Sequence, residues 1–436
     1  MIARPYHTRR LAAGVVAILL LAGAAWAVDR FPKPDFETGY TQPTTTTPPP
    51  RALTAEYLDV AVLAATLMLA AYLVLHARSR RGTLLLTIFS LGYFGFWRYG
   101  CVCPVGAVQN VALAVFDHTY SIPITVLAFF LLPLVAALLF GRVFCAAVCP
   151  LGAAQDLVVF RPVKLPAWLN ATLGMLPYLY LGLAVFFVAT GAGFVVCRYD
   201  PFVGFFRLSA TFPMLVFGIG MLILGTFVAR PYCRFLCPYG VILGWLSHLA
   251  RRHVTITPDE CINCRLCEEA CPFGSILKPT PDKAPETRGA GVRRLALLLA
   301  TLPLVVLLAG WGGAHLNVLM SRMHPDVQTA EQILAEDMGF TNATTLESET
   351  FRGAGEPSAM LLARATAIRR QFRTGGWWLG GFLGLVFHCR LIALALRRRR
   401  PEYEIDRETC VSCARCFNYC PRERLRHVPP GETLAS

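Results

Sequence analysis

Charge is scarce in this chain. Only 16% of its 436 residues are Asp, Glu, Lys or Arg, where soluble domains carry about a quarter. The shortage is largest on the acidic side, 27 against 41 basic residues, for a net charge of +14. No Cys-x-x-Cys-His run occurs, so covalent c-type haem is not indicated. No Gly-x-Gly-x-x-Gly or P-loop opens a helix after a strand, so no nucleotide site is indicated. Nor does the basic excess indicate nucleic acid. It gathers beside apolar runs, as at Arg78, Arg80, Arg81 and Arg397 to Arg400, where positive-inside topology accounts for it.

What the chain has instead is apolar length. Leu11 to Val28, Tyr57 to Leu75, Thr83 to Trp97, Ile122 to Phe140, Leu173 to Phe194, Phe212 to Val228, Leu295 to Trp311 and Trp377 to Leu396 approach the ~20 residues that cross a bilayer. That predicts about eight spans. The first reads as a signal anchor or signal peptide, with Ala24 to Ala27 as a cleavage site. Alternating crossings with Arg9 and Arg10 inside also place Arg78 to Arg81, Arg142, Arg251, Arg252, Arg293, Arg294 and the Arg397 run inside. A bacterial inner-membrane protein with both termini cytoplasmic follows. Gly376, Gly380 and Gly384 at four-residue spacing predict a close helix-packing face.

The expected organisation is a signal anchor over 1–28, an outer Pro/Thr-rich linker over 29–56 and a membrane domain over 57–252. A first ferredoxin half over 253–290 follows. Residues 291–396 form a transmembrane hairpin with an outer loop over 314–373, and 397–436 form the second ferredoxin half. The fold class is an α-helical polytopic membrane protein with a cytoplasmic α+β ferredoxin-like domain.

Sixteen cysteines are present, and half fall in two runs of one spacing. Cys261-x2-Cys264-x2-Cys267-x3-Cys271-Pro272 is repeated as Cys410-x2-Cys413-x2-Cys416-x3-Cys420-Pro421. Three thiolates two residues apart wrap one [4Fe–4S] cluster, and the fourth, redirected by proline, reaches the other. One cluster is therefore assigned to Cys261, Cys264, Cys267 and Cys420, and the second to Cys410, Cys413, Cys416 and Cys271. The alternatives are zinc and two independent single-cluster modules.

A second repeat is a cysteine-proline corner after an apolar span. It reads Gly100-Cys101-Val102-Cys103-Pro104-Val105-Gly106, Cys145-x3-Cys149-Pro150-Leu151-Gly152 and Cys233-x3-Cys237-Pro238-Tyr239-Gly240. A fourth copy, Cys197-Arg198-Tyr199-Asp200-Pro201, has aspartate at the second cysteine. Alternation of spans predicts Cys145, Cys149, Cys233 and Cys237 on the inner face, as ligands of an additional iron or iron–sulfur centre. Cys101, Cys103 and Cys197 come out on the outer face as a second candidate metal group, with Asp200 as a fourth ligand. Structural thiols inside and a disulfide outside are the competing readings. Cys389 reads as a small buried hydrophobe.

From Thr83 to Pro421, the two Cys-x3-Cys-Pro corners and the two ferredoxin runs resemble the NosR/NapH-type membrane polyferredoxins. That family is associated with nitrous oxide reduction and periplasmic nitrate reduction. The resemblance implies electron transfer between the quinone pool or cytoplasm and a periplasmic reductase. Some members carry an outer flavin-binding domain. This outer segment is too short for one, so flavin would come from a separate exported protein. The expected function is thus one-electron transfer between a cytoplasmic or quinone donor and an outer acceptor. A hydrocarbon core of about 30 Å demands centres at both faces. A copper-reducing oxidase-assembly protein and a redox sensor or assembly scaffold remain as other readings. Membrane lipid and redox proteins are the expected partners.

Overall fold

The computed structural model describes residues 52–100, 104–256, 261–280, 288–341, 343–396, 400 and 402–425. The expected first span, the linker up to residue 51, Cys101, Cys103 and Arg397 to Arg399 lie outside these.

The first half is a bundle of helices. Helix α1 (Leu53–Ala71) continues as a π-helical turn to His76, and α2 (Arg80–Ser90) likewise to Trp97. Next come α3 (Pro104–Phe116), α4 (Ile124–Phe140) and α5 (Pro150–Leu157). They are followed by α6 (Leu176–Ala189), α7 (Pro201–Arg207), α8 (Phe212–Phe227) and α9 (Pro238–His248). The cysteine corners lie in the turns between these helices, and the core forms around them. Val143, Ala146, Val148, Leu151, Phe202, Tyr232, Tyr239 and Leu243 are all fully buried.

The second half is α10 (Leu266–Ala270), β1 (Ile276–Leu277), α11 (Arg288–His315), α12 (Pro325–Asp337), α13 (Ser358–Ala395), β2 (Glu404–Ile405) and α14 (Arg415–Tyr419). Helices α11 and α13 make a hairpin whose outward leucines, among them Leu297, Leu304 and Leu307, are exposed. Apolar side chains turned outward suit a hydrocarbon surround. The expected glycine face is where the two helices meet. A Cβ on Gly376 or Gly380 would overlap the backbone carbonyl of Gly313 or Ala309, so only glycine permits this approach.

Four helices are long and apolar enough to cross a membrane: Leu53–His76, Ala167–Ala189, Gly289–His315 and Ser358–Ala395. The pair α7 and α8, bent by 107°, would make a fifth. Seven of the eight expected spans fall on described residues, where four helices, or five with that pair, have sufficient length and α4 is shorter. The last span also starts earlier than expected. At 38 residues, α13 is about 57 Å long and outruns the hydrocarbon core. Its first turns instead pack Leu361 and Ala365 against Val327, Ala330 and Ile333, so residues 314–373 form a small helical cap rather than an open loop.

Candidate iron–sulfur sites

The two cysteine runs fold alike. Asn263 and Arg265 in the first run, and Ser412 and Ala414 at the same places in the second, all have φ between 50° and 65°. Left-handed residues alternating with right-handed ones turn successive backbone N–H groups inward, a concavity that holds anions and iron–sulfur groups. Proline fixes the end of each run. Cys271 (φ −80°, ψ 108°) and Cys420 (φ −78°, ψ 117°) are extended, as residues before proline must be.

Strand β1 pairs antiparallel with β2, Ile276 opposite Ile405 and Leu277 opposite Glu404, and α10 packs on α14. These contacts bring together runs that the hairpin keeps apart in sequence. Two cavities result. Cys261, Cys264, Cys267 and Cys420 line one; Cys271, Cys410, Cys413 and Cys416 line the other. Each therefore receives three thiols from one run and one from the other. Among the described residues, no three such donors converge as tightly as a single ion requires. Four thiols around each cavity match the donor set of a [4Fe–4S] cluster.

The two cavities differ in surroundings. Cys264 is exposed, and burial pushes the Cys267 thiol up to about 11. In the second cavity burial pushes Cys410 up to about 12 and Cys416 well above the usual thiol range. Such thiols must lose protons to bind metal, and cations stand ready. Arg80 donates to the Cys413 carbonyl at 3.1 Å, and Arg142 and Arg230 act electrostatically on Cys410 and Cys413. The Ser412 N–H donates to the Cys410 sulfur at 3.4 Å.

The inner corners lie directly behind this second cavity. Cys145 packs with Cys271 and Cys413 on Val159, Ala229, Phe273 and Val411. Among the corner thiols, Cys145, Cys149 and Cys237 each lie within electrostatic reach of Cys233, and Cys149 also of Cys145. The corners share one local geometry: Cys149 (φ −69°, ψ 118°) and Cys237 (φ −68°, ψ 110°) each occupy a helix N-cap with proline following. The Leu151 and Gly152 N–H groups donate to the Cys149 sulfur.

Each corner also has an arginine three residues before its first cysteine, and the two arginines cross over. Arg230 donates to the carbonyls of Cys145 and Ala146 in the other corner. A Cβ on Gly240 would sit 3.3 Å from Arg142, and one on Gly152 3.3 Å from Arg230, so the glycine of each corner makes room for the opposite arginine. Arg230 is 1% exposed and Arg142 9%. The Nε of each has no hydrogen-bond partner, an unmet donor beside four thiols. Asp156, 3% exposed, is the counter-charge. It bonds Arg80 at 2.5 Å and Arg415 at 2.8 Å, and pairs with Arg230 at 3.5 Å. One carboxylate thus ties a bundle helix and an inner corner to the second cysteine run.

The outer group is only partly described, because Cys101 and Cys103 lie outside the described residues. Cys197 is exposed, with its sulfur 3.5 Å from where a Cβ on Gly106 would be. Asp200 does not stand free as a ligand. Its Oδ1 accepts from the N–H of Phe202 at 2.8 Å and of Val203 at 3.2 Å, and its Oδ2 accepts from the Tyr232 hydroxyl at 2.7 Å. The aspartate caps α7 as cysteine caps the other corner helices. Tyr232 adjoins Cys233, so a hydrogen bond links the fourth corner to an inner one. The α7–α8 pair between these two corners is bent by 107°.

Sequence reasoning missed Arg142, Arg230, Asp156 and two glutamines. Gln155 accepts from the Tyr232 N–H at 3.0 Å and donates to the Cys233 sulfur at 3.3 Å. Gln109 accepts from the Val196 N–H at 2.9 Å, just before Cys197. A signal was present. Cys-Pro-x-Gly-Ala-x-Gln occurs at both 103–109 and 149–155, and Arg-x-x-Cys at Arg98, Arg142 and Arg230.

Comparison with known proteins bears on these stretches. A profile described as a 4Fe-4S binding domain matches residues 122–167 and 210–257, which carry the inner corners, and a second of the same description matches 254–277. The chain is 28% identical to the putative electron transport protein YccM of Escherichia coli (strain K12), over 32% of this chain and 43% of the relative. It is 30% identical to the uncharacterized protein MJ0750 of Methanocaldococcus jannaschii, over 43% of this chain and 79% of the relative. It is 26% identical to the regulatory protein NosR of Stutzerimonas stutzeri, over 46% of this chain and 29% of the relative. The match thus spans less than half the length of YccM and of NosR. No solved structure matches the chain.

Proposed function

The chain belongs to the NosR/NapH-type membrane polyferredoxin family, and from that premise we propose that it is a membrane-bound iron–sulfur electron carrier. It links a cytoplasmic or quinone donor to a periplasmic acceptor. The observation that carries this reading is the pair of cavities, each lined by four cysteines drawn from both runs. Cys261, Cys264, Cys267 and Cys420 hold one [4Fe–4S] cluster, and Cys271, Cys410, Cys413 and Cys416 hold the other. When bound, the clusters supply one-electron redox chemistry.

The protein's own residues do the rest. The inward N–H groups and Arg80, Arg142 and Arg230 offset thiolate charge and so help set potential. The exposed side near Cys264 admits a soluble redox partner. Cys145, Cys149, Cys233 and Cys237 hold an additional iron–sulfur centre, flanked by the two crossed arginines, and Cys101, Cys103 and Cys197 form the group nearer the outer acceptor. The protein sits in the inner membrane with both termini cytoplasmic, and residues 291–396 are a hairpin inserted between two halves of one ferredoxin unit. An exported flavin-binding protein is a suitable acceptor.

Anaerobic purification with iron, sulfide and zinc assays tests the core of this reading. The ferredoxin unit alone should bring about eight irons per chain, four per cluster. Stoichiometric zinc with little iron would overturn it. A truncation ending at Arg252 tests the corner centre: it should retain iron, and loss of all metal with four freely alkylated thiols would remove that centre.

A further inference from the structure

A groove of about 530 Å³ opens where the bundle meets the cysteine runs, within the range of small-molecule sites. One wall is apolar and comes from the end of α1 and of α4: Met68, Tyr72, Leu75 and Phe140. Met68 and Tyr72 are largely exposed. The other wall is basic: Arg251, Arg252 and His253 on the connection leaving α9, with His76 and Arg78 opposite.

The basic wall is held in place. The Arg251 and Arg252 N–H groups donate to the carbonyls of Leu138 and Leu139 at 3.2 and 3.0 Å. Arg78 is fixed by Glu423 at 2.8 Å and stacks 4.9 Å over Phe417. Arg251 and Arg252 are exposed, and no ion pair among the described residues engages them. The Nδ1 of His253 is buried without a hydrogen-bond partner. Among the described residues, no acidic one lines the groove.

We propose that this groove binds one anionic phospholipid, its phosphate between Arg251, Arg252 and His253 and an acyl chain along Met68 and Tyr72. Apolar and basic walls meeting at a helix end match the two parts of such a lipid, and basic pockets between membrane helices take phosphate headgroups. The N-terminal Arg9 and Arg10 share the groove's sign and are poor occupants by charge. Because Phe417 in the second cysteine run and the connection into the first both line the groove, the lipid would clamp the ferredoxin unit onto the bundle. The proposal needs membrane location but no bound cluster.

The test is native mass spectrometry and thermal unfolding of the full-length protein in neutral detergent. It is titrated in turn with phosphatidylglycerol, phosphatidylcholine, inorganic phosphate and a decyl-substituted quinone. Phosphatidylglycerol should be retained and raise the apparent Tm, and phosphatidylcholine should not. The double substitution Arg251→Gln/Arg252→Gln should weaken phosphatidylglycerol binding by ~30-fold. If that variant does not fold, Leu75→Trp, which fills the groove and keeps its charges, should also abolish retention. Equal retention of both lipids, or unchanged binding in the variants, overturns the proposal. So does inorganic phosphate reproducing the full shift, or the quinone displacing the lipid while still binding the double variant.

Discussion

The two cysteine runs have one spacing and one backbone, yet they stand in opposite settings. The Cys261, Cys264, Cys267 and Cys420 cavity looks outward, with Cys264 exposed. The Cys271, Cys410, Cys413 and Cys416 cavity looks into the bundle, against Cys145 and under Arg80, Arg142 and Arg230. Identical ligand chemistry placed in unlike surroundings acquires unlike potentials. The difference orders the two sites: one is open to solvent at Cys264, and the other packs against the corner thiol Cys145.

The sharpest way to break the comparison is to cross the fourth cysteines. Cys420→Ser should remove the outward cluster, about half of the ferredoxin iron, and spare the inward one; Cys271→Ser should do the reverse. EPR of the two reduced variants decides it. If each substitution harms the cluster of its own run instead, the runs are independent modules.

Next in size is the carboxylate serving only the inward site. Asp156→Asn leaves Arg80, Arg230 and Arg415 buried without their shared counter-charge. It should cost about 3–5 kcal/mol, as for a broken buried pair. Thermal unfolding in detergent measures it, and Arg422→Gln beside the outward cavity should cost well under ~1 kcal/mol. Equal losses would erase the asymmetry.

A smaller effect concerns how the inward half docks. Glu408 accepts from Arg390 at 2.6 Å and from Tyr178 at 3.0 Å, and its backbone carbonyl accepts from Arg142 at 2.8 Å. Burial opposes ionisation of Glu408, but Arg390, with hydrogen bonds from Tyr178 and His248, holds it below its ordinary value of 4.5. A depressed carboxylate stabilises the fold above its unfolded pKa and loses that contribution as pH falls through the folded one. Glu408→Gln should therefore cost roughly 1–2 kcal/mol at pH 7, between exposed and buried pairs, and little once the wild-type carboxylate is protonated. A Tm difference that persists unchanged however far the pH falls below the ordinary glutamate value would rule out the charge.

Much of this was legible in the residues. Apolar run length marks the bilayer helices because each backbone polar group there must be satisfied within its own helix. The spacing of Cys261 to Cys271 and of Cys410 to Cys420 predicted which thiols would share a cavity, since the longer last step sends the fourth cysteine to the other run. The four-residue glycine spacing in α13 gave the packing face. Less legible was the fate of Asp200. As a residue type it suits a metal ligand, but only the local turn showed its oxygens spent on capping α7 and on Tyr232. Equally illegible was the 107° bend between α7 and α8, because run length alone does not show where an apolar stretch breaks.

The sequence by itself determined the chemistry, eight cysteines in two identical runs and four more in repeated corners, because ligand identity and local spacing are properties of a few adjacent residues. Tertiary structure alone decided which run faces solvent and which faces the bundle. It also decided that Arg142 and Arg230 cross between corners and that Asp156 serves three arginines. Those are relations between residues far apart in the chain: Asp156 and Arg415 are 259 positions apart. They exist only once helices from both halves have packed and the cost of burying each charge has been met by its neighbours.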